Sequence, residues 1–515
     1  MEQPVVITTS GPVQGEAADG VHIFKGIPYG RSTAGAARFR PPQRPDPWTD
    51  VRPAIAYGPS APQKGVQVGE GPMAQAVIKL AADSLEERFQ GEDCLVLNVW
   101  APAAGDQGLR PVMVWLHGGA WANSSGSAPL IDGTNLVRRG DVVVLTVNHR
   151  LGALGYIYLG GLDPEQYPDS GNAGLLDLVA ALEWVRDNIA SFGGDPSNVT
   201  IFGESGGGQK VATLLGMPHA TGLFHKAVIQ SGPMLKARTA EDATVTAKAL
   251  LSGLGIGLDE IERLEQVPAD QIVEMQSRLE SGGIGALGGG HAFSPVVDGR
   301  SLPEHPFDPV ATASASRVPL IIGTNKDELT LYTAVMPGFD QIAEAPAKLL
   351  VGLVAGERTD ELFATYASKR PGSTPAEVTT AVLSDYVRVG SIRLAERKLA
   401  GGPSPVFVYL FSFETDVLGG VLKAAHGLDI AFVFDNVATT ALTGTRPERQ
   451  DVADAMADSW IAFATTGDPS AKGQPSWPAY TLQERATMIF DAPCSVQDDP
   501  FGAERAAWEG ISLPL

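Results

Sequence analysis

Val199-Thr200-Ile201-Phe202-Gly203-Glu204-Ser205-Gly206-Gly207-Gly208 decides the reading of this chain. A short apolar, β-branched run has the pattern of a strand. It runs into Gly-x-Ser-x-Gly, and an apolar helix pattern follows from about Gly208. Strand, sharp turn and helix in that order place Ser205 on a strained elbow at the carboxyl end of a strand. Glycine two residues to either side removes side chains that would collide with the strand and helix backbones. The hydroxyl is left projecting at a helix N-terminus, where exposed N–H groups favour developing negative charge.

Outward from the elbow the same alternation repeats. Val112-Met113-Val114-Trp115-Leu116 is a continuous apolar run that opens into His117-Gly118-Gly119. Val142 to Val147 ends similarly, in Asn148-His149-Arg150. A helix is expected from about Ala173 to Ser191, with Leu175, Leu178, Val179, Leu182, Val185 and Ile189 at helical spacing and Gly193-Gly194 as the stop. Val228 to Gln230, Pro319 to Ile322 and Val406 to Leu410 read as further strands. Continuously apolar strands separated by helices imply an α/β fold with a mostly parallel sheet covered on both faces.

Two stretches depart from that rhythm, about 236–317 and about 339–399. Both are helical, and the first contains Ser281-Gly282-Gly283 and Gly288-Gly289-Gly290. They are expected to be cap-like insertions over one edge of the sheet, where they could wall a binding pocket. No composition break marks an independent unit, so residues 1–515 are read as a single domain.

The charge balance is acidic, 38 basic against 59 acidic residues for a net −21. Such a field repels nucleic acid and anionic membrane surfaces, so neither is expected as a partner. Hydrophobic residues make up 44% and charged residues 19%, an ordinary globular composition. The start, Met1-Glu2-Gln3-Pro4, lacks the basic and apolar segments of a signal peptide. No apolar run approaches the roughly 18 residues of a membrane span. Cys94 and Cys494 are read as two buried free thiols, with a single bridge between them as the alternative. A cytoplasmic location follows as an expectation.

A serine nucleophile needs a base, an orienting acid and donors for the oxyanion. The backbone N–H of Gly206 is one candidate donor, and those of Gly118 and Gly119 are others. On an α/β-hydrolase fold the chain order is Ser, acid, His. Five of the eight histidines follow Ser205. His219, His225 and His305 have turn-like or polar surroundings and read as surface residues, and His291 follows a glycine run. His426 precedes Gly427 and the apolar Ile430-Ala431-Phe432-Val433-Phe434, on a loop entering a buried segment. For the acid, Asp327 and Glu328 stand equally well just past the strand ending near Ile322. Trp121 and Phe293 are candidates for the substrate pocket, with core packing as the alternative.

These residues resemble the type-B carboxylesterases, the group of cholinesterases and bacterial para-nitrobenzyl esterases. The resemblance begins at Phe24-Lys25-Gly26-Ile27-Pro28-Tyr29 and Arg38-Phe39-Arg40-Pro41-Pro42. It continues through Glu92-Asp93-Cys94-Leu95, His117-Gly118-Gly119, Asn148-His149-Arg150-Leu151-Gly152 and Gly171-Asn172-Ala173-Gly174 to the serine elbow. Gln230-Ser231-Gly232, Asn325-Lys326-Asp327-Glu328 and His426-Gly427-Leu428-Asp429 complete it. The resemblance implies Glu328 as the acid, His426 as the base, and Gly118, Gly119 and Gly206 as oxyanion donors. It also implies Ser231 as a buried hydroxyl near the triad, and ion pairs Arg150–Asp177 and Glu92 with Arg38 or Arg40. Three positions depart from the family pattern, with Gly206 where alanine is usual, Asp429 where glutamate is usual and Leu178 where glutamine is usual. At 206 greater flexibility is the expected consequence.

The expected function is hydrolysis of short to medium acyl or aryl carboxylic esters through an acyl-enzyme on Ser205. No cofactor or metal is implied, and the partners are a small-molecule ester and water. An amidase or carbamate hydrolase with the same triad, or a non-catalytic binding protein on this fold, are the alternatives. With an unperturbed imidazole, activity is expected to fall below about pH 6–7.

Overall fold

Alternate side chains of Arg110–Leu116 enter two different cores. Val112, Val114 and Leu116 join one hydrophobic cluster, and Met113 and Trp115 join the other. Successive strand residues point to opposite faces, so a strand apolar at every position needs cover on both sides. The structure, a computed structural model, describes residues 3–65, 71–81, 89–103, 108–280 and 291–513. The glycine runs within 281–290 lie outside the described residues.

The central sheet has eleven strands. In chain order they are β1 (Glu16–Ala18), β2 (Val21–Pro28), β3 (Val96–Pro102), β4 (Arg110–Leu116), β5 (Val143–Val147) and β6 (Gly194–Glu204). β7 (Lys226–Gln230), β8 (Leu320–Asn325), β9 (Val406–Phe411), β10 (Ala486–Phe490) and β11 (Ser495–Asp498) follow. Across the sheet the order is β11-β10-β9-β8-β7-β6-β4-β5-β3-β2-β1. From β10 to β5 every neighbouring pair is parallel, while β1, β2, β3 and β11 add antiparallel edges.

Helices α1 (Ala173–Asn188) and α2 (Gly206–Leu215) cover one face, burying Leu175, Leu178, Leu182, Val211 and Leu214 in the first cluster. The helix Arg449–Thr466 and the short Asp429–Val433 cover the other, with Met456, Trp460, Phe463 and Phe432 in the second cluster. α1 continues as a 3-10 turn, Ile189–Phe192, and stops at Gly193 in the left-handed region, φ 82°. α2 starts directly after Ser205, earlier than the pattern from Gly208 implied.

The two helical stretches differ in attachment. Within 236–317, helices Ala240–Gly253 and Ala269–Glu280 add Leu250, Leu251 and Ile272 to the first cluster. Within 339–399, helices Glu344–Ala355 and Thr359–Lys369 share a small separate core with Trp508, Ile511 and Leu513. The helix Pro375–Gly401 links both: it starts at a Thr374/Glu377 capping box and ends with Leu394 and Ala395 on the main core.

Arg150 and Asp177 form a buried bidentate pair, 2.8 and 2.6 Å, which ties the end of β5 to α1. Glu92 pairs with Arg38 at 2.6 Å through both oxygens, whereas Arg40 takes Glu265. Cys94, buried, and Cys494, half-buried, are both free thiols. Among the described residues no helix is long and apolar enough to cross a membrane.

Candidate active site

The elbow is strained where the sequence pattern places it. Ser205 has φ 55° and ψ −123°, a conformation costly for a residue with a side chain. Its N–H donates to the Gln230 carbonyl at 2.8 Å, which pins the turn to β7. A Cβ on Gly203 would stand 2.5 Å from the Leu116 carbonyl oxygen, and one on Gly207 only 2.0 Å from the same atom. Both motif glycines are thus required by the close passage of β4.

The loop after β4 lies beside the serine. A Cβ at Gly118 would be 3.6 Å from Ser205 Cβ and 3.1 Å from Glu204 Oε2. Gly119 (φ 75°) and Ala120 (φ 53°) turn the chain in the left-handed region. The N–H groups of Gly118 and Gly119 have no acceptor among the described residues. Gly206 serves close approach as well as flexibility: a Cβ there would meet the Ala120 backbone at 2.2–2.5 Å.

His426 Nδ1 lies 2.5 Å from Glu328 Oε2. Glu328 is fully buried, and its other oxygen accepts the Asn325 N–H at 2.8 Å. Asp327 points elsewhere, to Lys326 and the Ala424 N–H, so geometry separates two residues that sequence position left equal. The far imidazole nitrogen, Nε2, is 3.3 Å from Glu204 Oε1. Among the described residues the Ser205 hydroxyl makes no intramolecular hydrogen bond, a common state before substrate tightens the site.

The buried carboxylates Glu204 and Glu328 contact this imidazole, and buried Asp429 adds a further charge nearby. Asp429 accepts from Gln230 Nε2 at 2.9 Å and from the Tyr409 hydroxyl at 3.0 Å. Burial pushes Glu204 up to about 8, opposed by His426 and helped by Asp429 and Glu328. Burial alone would lower His426, but Glu204, Tyr332 and Glu328 outweigh it and hold the imidazole well above 6.5. The Glu204–His426 pair therefore keeps a proton above the ordinary histidine range and titrates as a unit.

Known proteins resemble this chain over nearly its whole length. A model of the carboxylesterase family matches residues 2–508. A para-nitrobenzyl esterase of Bacillus subtilis is 36% identical over 98% of both chains. A phenmedipham hydrolase of Pseudarthrobacter oxydans is 33% identical over 95% of each. A carboxylesterase structure from Geobacillus stearothermophilus superposes with a TM-score of 0.85 at 38% identity, covering 98% of this chain and 100% of that one. The chain belongs to the carboxylesterase family. It has the α/β-hydrolase fold, and its reaction is the hydrolysis of carboxylic esters by water.

Within this carboxylesterase several expected residues have other surroundings. Trp121 and Phe293 are not walls of an open pocket, since each is 1% exposed in the main core, with Trp121 edge-on to Tyr156. His225 and His305 are not free surface residues, because their Nδ1 atoms accept the backbone N–H groups of Val199 and Ala237. His219 is exposed, and His291 is half-buried with its pKa lowered by burial and by Lys210. Ser231 is buried in the left-handed region (φ 50°) with no partner for its hydroxyl among the described residues. A cavity of about 1060 Å³ opens beside Lys326 and Asp327, lined further by Thr333, Met336, Phe339 and Thr380, and neither Ser205 nor His426 borders it. Among the described residues no group of His, Cys, Asp and Glu is placed to hold a metal ion.

Sequence reasoning missed Glu204, Gln230, Tyr409 and Lys210. Glu204 occupies an unspecified position of the serine motif, but a carboxylate closing an apolar strand is itself a signal. Lys210 carried one too, as the lone charge in an apolar helix.

Proposed function

We propose that this carboxylesterase works through an acyl-enzyme on Ser205, with His426 as general base and then general acid and Glu328 as its orienting carboxylate. Neutral His426 takes the hydroxyl proton as Ser205 Oγ attacks the ester carbonyl carbon. The oxyanion is received by the N–H groups of Gly118, Gly119 and Gly206. Collapse breaks the bond to the alcohol oxygen, which leaves with the proton from His426. Water repeats the sequence on the acyl-enzyme, giving the carboxylic acid and free serine.

The observation that carries this reading is the 2.5 Å contact from His426 Nδ1 to buried Glu328, which fixes one imidazole nitrogen, while the other faces Glu204, the residue next to Ser205. The strained Ser205 backbone supports it independently. Esters of aromatic alcohols are the natural first substrates, by analogy with the para-nitrobenzyl esterase relative, and para-nitrophenyl esters give a coloured readout. Steady-state hydrolysis of para-nitrophenyl butyrate by the wild type and Ser205→Ala tests the proposal. Turnover should drop by at least about 10⁴-fold in the variant. A folded variant that keeps most of its activity would remove Ser205 from the mechanism.

A further inference from the structure

Lys210 has no part in the chemistry above, yet it is placed against it. It lies in α2, five residues after Ser205, and is fully buried. Its ammonium donates to the His117 carbonyl at 2.8 Å and to the Ala120 carbonyl at 2.9 Å. Both carbonyls belong to the loop that carries Gly118 and Gly119. The ammonium also stands 5.6 Å from the centre of the Trp121 ring. Among the described residues it has no carboxylate partner, and the titratable groups facing it are His149 and His291.

The His117 carbonyl and the Gly118 N–H are two ends of one peptide unit. In a trans peptide they point in opposite directions. A cation that holds the carbonyl on the α2 side therefore aims the Gly118 N–H the other way, and Gly118 stands beside Ser205, where a Cβ on it would be 3.6 Å from Ser205 Cβ. The cation also withdraws electron density from the carbonyl oxygen, which strengthens the same N–H as a donor. The hold on Ala120 closes the loop from its other end, where a Cβ on Gly206 would find no room.

An ammonium without a counter-ion is an expensive choice for this position. Burial pushes its pKa down to about 7, the mark of an unfavourable place for a charge. The neighbouring Val211, Ala212, Leu214 and Leu215 are buried and apolar, and Lys210 is the one charge in this helix. Packing alone would be served as well by methionine.

We propose that Lys210 is a positioning residue for ester hydrolysis, whose ammonium orients and polarises the 117–118 peptide so that the Gly118 N–H receives the oxyanion. This rests on the Ser205 acyl-enzyme reading and adds a residue to it. Lys210 acts through the loop and touches no reacting atom.

The test compares wild type, Lys210→Met and Lys210→Gln, each checked for folding by thermal melting. Steady-state hydrolysis of para-nitrophenyl butyrate is measured beside inhibition by an alkyl trifluoromethyl ketone, which forms a tetrahedral oxyanion adduct on serine. Folded Lys210→Met should lose about 10- to 100-fold in kcat, keep KM within about twofold, and bind the ketone more weakly by a factor similar to the loss in kcat. Lys210→Gln, which keeps a neutral donor, should fall between the two, and it carries the same comparison if the methionine variant does not fold. Unchanged kcat and ketone affinity in a folded variant would overturn the proposal. So would a loss of kcat with ketone affinity intact. Failure of the Ser205 reading looks different: the wild type would escape inhibition by the ketone, or Ser205→Ala would keep turning over.

Discussion

Replacing Gly206 by alanine should cripple this enzyme, although alanine is the residue the family resemblance leads one to expect there. A Cβ on residue 206 would lie 2.2 Å from the Ala120 oxygen, 2.4 Å from its Cα and 2.5 Å from its carbonyl carbon. Non-bonded carbon contacts settle near 3.5–4.0 Å, so Ala120 must withdraw by about 1 Å. All three atoms are backbone, and no side-chain rotation relieves the clash. Ala120 already sits at φ 53°, and its carbonyl is held by Lys210. Its movement carries Gly118 and Gly119 with it. A misplacement of about 1 Å in catalytic geometry costs about 100-fold in rate, and forced overpacking costs about 1–3 kcal/mol of stability. Gly206→Ala should therefore lose about 30- to 100-fold in kcat on para-nitrophenyl butyrate with KM little changed. Its midpoint of urea unfolding should also fall. A variant with kcat within about twofold of the wild type and an unchanged midpoint would show that the loop does not depend on this close approach.

Four further outcomes follow from the site and the fold. Under the proposed mechanism neutral His426 is the active form, and since its pKa is raised the acidic limb of kcat/KM should have its midpoint above 6.5, higher than an unperturbed imidazole would give. Glu204→Gln removes the charge that does most to raise it and should move that limb down; an unmoved limb would separate Glu204 from the titration. Glu328→Gln keeps the shape of the site but not the carboxylate, and kcat should fall by about 10⁴-fold, with a loss below about 10-fold counting against its orienting role. Asp177→Asn leaves Arg150 buried without its counter-ion and should cost about 3–5 kcal/mol in urea unfolding, whereas a loss under about 1 kcal/mol would mean the pair is not a fixed part of the fold.

The fold was legible where periodicity was strong. β4, β5 and β9 are apolar at nearly every position, and β6 to β8 each carry a short apolar run, because both faces are covered; six runs in the sequence fell inside or across those strands. The strands β1 to β3, β10 and β11 were not read. β1, β2 and β11 are short or partly exposed, while β3 pairs with β2 and β5, and β10 with β9, partners far along the chain. The serine was readable because its turn has a fixed local chemistry. His426 and Glu328 were not readable from spacing, since 98 residues separate them and only the folded sheet brings them together. Glu204 and Lys210 went unread for a related reason, because what matters is which backbone or imidazole each one faces. Trp121 was left between pocket and core because it follows the glycine loop after β4, and its ring turns inward against Tyr156.

The most direct test of the acyl-enzyme on Ser205 is covalent labelling followed by peptide mapping. The active enzyme is treated with a fluorophosphonate, its residual esterase activity is measured, and the modified residue is located by mass spectrometry. The account predicts one phosphonyl group per chain, on Ser205, with loss of activity in proportion to labelling. Full esterase activity in enzyme labelled at Ser205, or inactivation with the label on another residue, would contradict it.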